Sequence, residues 1–164
     1  MSKYILHKKA DSDDTEILTE LRIAMLCETK ECGNMSNRLK AEIYDNTKKY
    51  IENGFKDGSF VAWVTIDTHS KIIATSGLTF YTLLPNVWCP NGKTAYIGNL
   101  YTLPEYRRRG IATHLFALNI EEAKQNDCQR ILLNATDMGK SIYEKFGFEN
   151  SDTAMAYFPF RKNL

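Results

Sequence analysis

The chain is poor in what would commit it to a metal, a membrane or a polyanion. It carries three histidines and four cysteines in 164 residues. Cys27, Cys32, Cys89 and Cys128 form no Cys-x-x-Cys pair, and no histidine cluster completes a zinc set, so no metal is expected. No apolar run approaches the length that spans a bilayer. Met1–Lys9 holds only Tyr4-Ile5-Leu6 between lysines, which is not a signal-peptide pattern. The formal net charge is +1, which gives no pull toward nucleic acid or a membrane surface. Gly-x-Gly-x-x-Gly is absent, so a Rossmann dinucleotide site has no support. Gly139-Lys140-Ser141 has the look of a P-loop end, but the glycine required five positions earlier is Asn134. Repeats, low-complexity tracts and Pro/Gly/Ser linkers are missing too. The expectation is one continuous domain over residues 1–164, cytoplasmic, with its cysteines buried as small hydrophobes.

What is present is a globular composition, with 43% apolar and 25% charged residues. Tyr4–Lys8 reads as a short strand. Asp11–Asp14 supplies capping acids, with Glu16 three after Asp13. Ile17, Leu18, Leu21, Ala24 and Met25 then repeat at helical spacing to about Cys27. Glu28–Met35 reads as loop. A second helix carries Leu39, Ile43, Thr47, Tyr50 and Ile51 on one face and is expected to stop at Asn53-Gly54. Ser59–Ile66, Lys71–Leu83 and Thr94–Thr102 are β-rich, with Asp67-Thr68-His69-Ser70 as the first turn between them. Gly110 opens a helix lasting to about Asp127, Arg130–Leu133 is a short strand, and Asp137 caps a helix that ends at Gly147. Ala154–Phe160 is a last strand. The order β-α-α-β-β-β-α-β-α-β describes an α/β (α+β) fold with a mixed sheet covered by helices.

Tyr101 to Thr113 is the most informative stretch. A strand ends before Pro104, a basic turn Arg107-Arg108-Arg109 follows, and a helix starts at Gly110. The first turn of a helix has unpaired N–H groups and the positive end of the dipole, so it attracts anions. Gly110 lets backbone approach a bulky anion, Ala112 keeps the next contact small, and Thr113 adds a hydroxyl. The arginines offer charge-assisted bonds to phosphate oxygens. The competing reading is a solvated basic turn before an ordinary helix, and spacing by itself does not separate the two.

Arg107-Arg108-Arg109-Gly110-Ile111-Ala112 is similar to the Arg/Gln-x-x-Gly-x-Gly/Ala signature of the GNAT N-acetyltransferase superfamily. Leu100–Pro104 resembles the strand and proline that precede it there. Leu132-Leu133-Asn134-Ala135 and Ser141–Phe148 resemble the second conserved block. The resemblance is specific over Tyr96–Phe148 and implies a mostly antiparallel sheet with splayed central parallel strands. It implies acetyl-CoA as co-substrate. Leu100, Tyr101 and Thr102 would pair with its pantetheine arm. Arg107, Arg108, Arg109, Gly110, Ile111, Ala112 and Thr113 would hold its pyrophosphate. Asn134 would reach the pantetheine or acyl arm, and Tyr143 would point its hydroxyl at the sulfur.

The reaction this implies is direct attack by an amine of a small molecule or peptide on the thioester, through a tetrahedral intermediate. No cysteine or serine shows a base and an orienter, so an acyl-enzyme is not expected. A phenol stays protonated at neutral pH and can donate to the departing thiolate. Without the resemblance, Tyr143 reads rather as an amphipathic helix residue with its ring in the core and its hydroxyl wet. A strand N–H near Leu100 or Tyr101 is the oxyanion donor expected. The long strand, Tyr96-Ile97-Gly98-Asn99-Leu100, has no carboxylate, so no general base is assigned; Asn99 can orient a water. His114 reads as a surface or packing residue. The acceptor region falls roughly at Glu28–Met35, the Trp88 loop and Glu149–Asp152, where Glu28, Glu31, Glu149 and Asp152 are either an attraction for a cationic amine or solvated loop charge. A homodimer is left open, and a non-catalytic acyl-CoA-binding module is the alternative to an enzyme.

Overall fold

The computed structural model describes residues 5–28, 35–151, 155, 158 and 159. Most of the strand expected at Ala154–Phe160 lies outside these residues, as do Tyr4, Glu31, Cys32 and Asp152; Met155, Phe158 and Pro159, which are described, are not in a strand. Two compact units divide the chain, Met1–Asn134 and Ala135–Leu164.

The first unit contains β1 (Leu6–Lys9), α1 (Thr15–Glu28), α2 (Asn37–Asp57), β2 (Phe60–Ile66), β3 (Ile72–Thr82), β4 (Lys93–Thr102), α3 (Ile111–Gln125) and β5 (Arg130–Leu132). The five strands lie in the order β1-β2-β3-β4-β5. All neighbours are antiparallel except β4 and β5, which are parallel. Strand side chains alternate between faces, and each face has its own helices. Ala62, Val64 and Tyr101 pack with Leu18 and Leu21 of α1 and Ile51 of α2. Trp63 and Leu100, their sequence neighbours, pack on the other side with Ile111 and Leu115 of α3.

Two helix ends differ from the sequence reading. A capping box joins Asp11 to Asp14, not Asp13 to Glu16, and a short 3-10 turn at Ser12–Asp14 leads into α1. The second helix runs past Asn53-Gly54 to Asp57, with Gly58 as its left-handed C-cap. Gly54 is buried inside the helix because it faces Phe60: a Cβ there would overlap the Phe60 Cβ, and one at Gly77 would lie 2.8 Å from the Phe60 ring. Alanine at 54 is the better helix former by about 1 kcal/mol. Overpacking against Phe60 outweighs this, so Gly54→Ala is expected to lose about 1–3 kcal/mol, read as a lower denaturant midpoint. The cysteines also depart from expectation. Of the three described, only Cys89 is buried; Cys128 is half-buried and Cys27 is exposed.

The second unit holds α4 (Lys140–Lys145). Asp137 does not cap it. The N-cap is Gly139, without a side-chain cap bond of its own, and Gly139 N–H donates to the carbonyl and hydroxyl of Thr136.

Candidate active site

Two interruptions free one stretch of β4. Its parallel pairing with β5 spans only Thr94–Tyr96 against Arg130–Leu132, yet β4 runs on to Thr102. From Ile97 onward that edge has no β5 partner. On the other edge, Gly77 pairs with Gly98 and Thr75 with Tyr101, so Asn99 and Leu100 together oppose Ser76. This is a β-bulge, and Asn99 sits at φ 56°, in the left-handed region. The Asn99 Oδ1 is buried with no hydrogen-bond partner among the described residues. Asn134, on the chain leaving β5, is exposed. The bulge was not foreseen: nothing in Tyr96–Leu100 marks it except Gly98 beside an asparagine.

The turn from β4 to α3 is braced on two sides. Arg107 Nη2 donates to Glu28 Oε2 at 2.6 Å, and its Nε donates to the Thr102 carbonyl at 2.8 Å. Tyr101 Oη donates to the other oxygen of Glu28, also at 2.6 Å. Arg109 donates to the Glu105 carbonyl and lies over the Tyr106 ring, whose hydroxyl donates to Asp67. Asp67 in turn accepts from the backbone N–H of His69 and Lys71, which hold its carboxyl below the usual range. Arg108 is exposed, at φ 62°, with no ionic or hydrogen-bonding partner among the described residues.

The Glu28 carboxylate, which the sequence leaves as either an attraction for a cationic amine or solvated charge, is committed to Tyr101 and Arg107. Partial burial opposes its ionisation, but the two hydrogen bonds and the Arg107 charge prevail and lower its pKa. Burial and the bond to Glu28 push the Tyr101 phenol up to about 12. Because the Glu28 pKa falls on folding, its ionised form stabilises the fold above the ordinary value of 4.5, and this is lost as pH drops through the lowered value. In chemical denaturation, the stability gap between wild type and Glu28→Gln is expected at pH 7 and should close on acidification below about pH 4.

Gly110 is the N-cap of α3 at φ 79°, in the left-handed region that favours glycine. It gives α3 no side-chain cap, and the first helical bond runs from His114 N–H to the Gly110 carbonyl. The N–H groups of Ile111, Ala112 and Thr113 therefore lack intrahelical acceptors. Apart from its own chain neighbours, no atom of the described residues lies within 4 Å of the place a Gly110 Cβ would occupy. Beside it is a hollow lined by Ile5, His7, Arg108, Arg109, Ile111 and His114, with no carboxylate among the described residues. His114 stacks on His7, ring centroids 4.0 Å apart, which makes it a packing residue.

In the second unit, the motif around Tyr143 is explained by how α4 ends. Gly147, at φ 84°, donates to the Glu144 carbonyl, and Phe148 N–H donates to the Tyr143 carbonyl. This is a Schellman cap, with Tyr143 and Phe148 as its apolar pair, rings 6.5 Å apart. Gly139 makes room for the same ring: a Cβ there would stand 2.6 Å from the Tyr143 hydroxyl and 2.8 Å from ring carbons. Gly139→Ala must displace the phenol, and a changed near-UV circular dichroism signal is expected with the far-UV helix signal kept.

Among the described residues no group of His, Cys, Asp or Glu can hold a metal, and no helix is long and apolar enough to cross a membrane. Residues 22–148 match the family model for the acetyltransferase (GNAT) family. No curated protein sequence matches the chain. Among solved structures, a predicted acetyltransferase of Clostridium acetobutylicum, determined with acetyl-CoA, is 28% identical, with 94% of this chain and 96% of that one covered at a TM-score of 0.84. A GCN5-related N-acetyltransferase of Ralstonia eutropha is 25% identical over 94% and 98%, at 0.82. The glucosamine-6-phosphate N-acetyltransferase of Arabidopsis thaliana, at 18% identity over 96% and 99% and a TM-score of 0.66, shares the fold. With the family model spanning most of its length, this chain belongs to the acetyltransferase (GNAT) family and is an N-acetyltransferase.

Proposed function

We propose that the enzyme transfers acetyl from acetyl-CoA to a primary amine of a small molecule or peptide by direct attack. The observation that carries this is the start of α3: three amides without intrahelical acceptors, opened by a glycine in the left-handed region whose Cβ position is open. A pyrophosphate fits such a place. The dipole favours an anion by about 0.3–1 kcal/mol, and up to about 2 when partly buried. Arg108 adds a guanidinium, and among the described residues no carboxylate lines the hollow beside it. The edge of β4 beyond Tyr96 has no β5 partner, which leaves it to the pantetheine amides at Leu100, Tyr101 and Thr102, with the Thr102 carbonyl shared with Arg107 Nε. Asn134 is the side chain assigned to the arm from the strand across. This reading takes residues 1–164 as one functional domain.

Each chemical role goes to a group suited to it. A backbone N–H at the Asn99–Leu100 bulge stabilises the charge that develops on the thioester oxygen. Tyr143 donates to the sulfur as the thiolate leaves. Asn99 supplies the orphaned acceptor Oδ1, which can hold a water near the incoming amine but cannot take its proton as a base. Titration calorimetry tests the donor half. One molecule of CoA or acetyl-CoA is expected to bind per chain, with affinity falling as salt rises because the pyrophosphate is held by charge. Salt-independent binding, or none, removes the assignment.

A further inference from the structure

We propose that Glu28 is a positioning residue for the transfer reaction, clamping the cofactor turn through Arg107 and the strand through Tyr101. The proposal rests on the cofactor reading above and assigns Arg107 a different job from its neighbours. Its guanidinium spends Nη2 on Glu28 and Nε on the Thr102 carbonyl, and its Cζ lies 5.5 Å from the Tyr101 ring centroid. These contacts fix where the chain leaves β4. From that point Pro104–Tyr106 turns, Arg108 adopts a left-handed conformation, and Gly110 opens α3. A shift in the first bend moves every later amide of the cradle. Glu28 is the last residue of α1, so the C-terminal end of that helix is tied to the start of the cradle across 79 residues of sequence. One carboxylate serves both partners: Oε1 accepts from Tyr101 and Oε2 from Arg107.

The clamp makes a prediction opposite to simple electrostatics. If Arg107 were a phosphate ligand that Glu28 only screened, removing the carboxylate would release the guanidinium and strip a negative charge from beside an anion site. Cofactor binding would then tighten. If Glu28 positions the turn, removing it weakens binding. The same difference decides the double variant. Two members of one clamp do not add, because the second loss finds the contact already gone.

The experiment measures acetyl-CoA affinity by calorimetry, with kcat and KM, for wild type, Glu28→Gln, Arg107→Ala and the double variant. Glu28→Gln keeps the shape of the side chain and so guards against simple misfolding, which thermal melting checks. The expected result is that each single variant binds acetyl-CoA about tenfold more weakly, the double variant no worse than either, and KM rises far more than kcat falls. Glu28→Asp, one methylene short of spanning both partners, should restore little. Tighter or unchanged binding in Glu28→Gln overturns the proposal, and so do additive losses in the double variant. Absence of acetyl-CoA binding by the wild type would instead overturn the cofactor reading itself.

Discussion

Gly110→Glu is expected to abolish acetyl-CoA binding, with affinity lowered at least 100-fold, while the fold survives. The loss has two sources. At φ 79° any side chain is strained by about 1–2 kcal/mol. The larger part is electrostatic: the new carboxylate would stand where the uncapped amides of Ile111, Ala112 and Thr113 offer positive charge to an anion, and like charges brought together cost several kcal/mol. Gly110→Ala separates the two, since it keeps the strain without the charge and should lose about tenfold. Because open space surrounds the Gly110 Cβ position, neither variant meets a clash in the folded protein, and melting temperatures should fall by only a few degrees. Normal CoA affinity in Gly110→Glu would show that the start of α3 is not the phosphate site.

Tyr143→Phe is the second large effect, and it falls on turnover. Removing the hydroxyl leaves the Schellman cap, the apolar contact with Phe148 and the room made by Gly139 intact. Ground-state binding of acetyl-CoA should therefore stay within about twofold. The departing thiolate loses its donor, and kcat should drop by about 10²–10⁴. The drop should shrink when the acyl donor carries a more acidic thiol, because a better leaving group needs less help. Unchanged turnover at saturating substrate would remove Tyr143 from the mechanism.

How much of this was readable in advance depended on how local each cause is. Strands β1 to β5, α1 and the start of α3 rest on alternation, helical spacing and a glycine at a helix start, and they appear within a residue or two of the expected places. Asn53-Gly54 misled because Asn-Gly is a local C-cap signal, whereas the reason for Gly54 is Phe60, reached only after the chain has turned. Asp137 does not cap α4: the helix starts after Gly139, whose N–H goes to Thr136, one position before Asp137, a choice between two competent acceptors that sequence does not rank. In the candidate site, the cradle is a contiguous segment and could be read as one. Glu28 could not, since its partners are 73 and 79 residues away and an acid at a helix end looks like any solvated charge. The bulge at Asn99 is a matter of register between β3 and β4, which no single strand reveals.

Amine-dependent thiol release from acetyl-CoA tests the central claim most directly. The purified protein is offered acetyl-CoA with a panel of primary amines, spanning polyamines, amino sugars, amino acids and peptide N-termini, and free thiol is followed with product mass. The account predicts that at least one amine releases CoA thiol well above the rate in buffer, that its mass rises by one acetyl group, and that Tyr143→Phe loses the release. Stoichiometric acetyl-CoA binding with no acetylated amine, and the same slow hydrolysis in wild type and Tyr143→Phe, would contradict it.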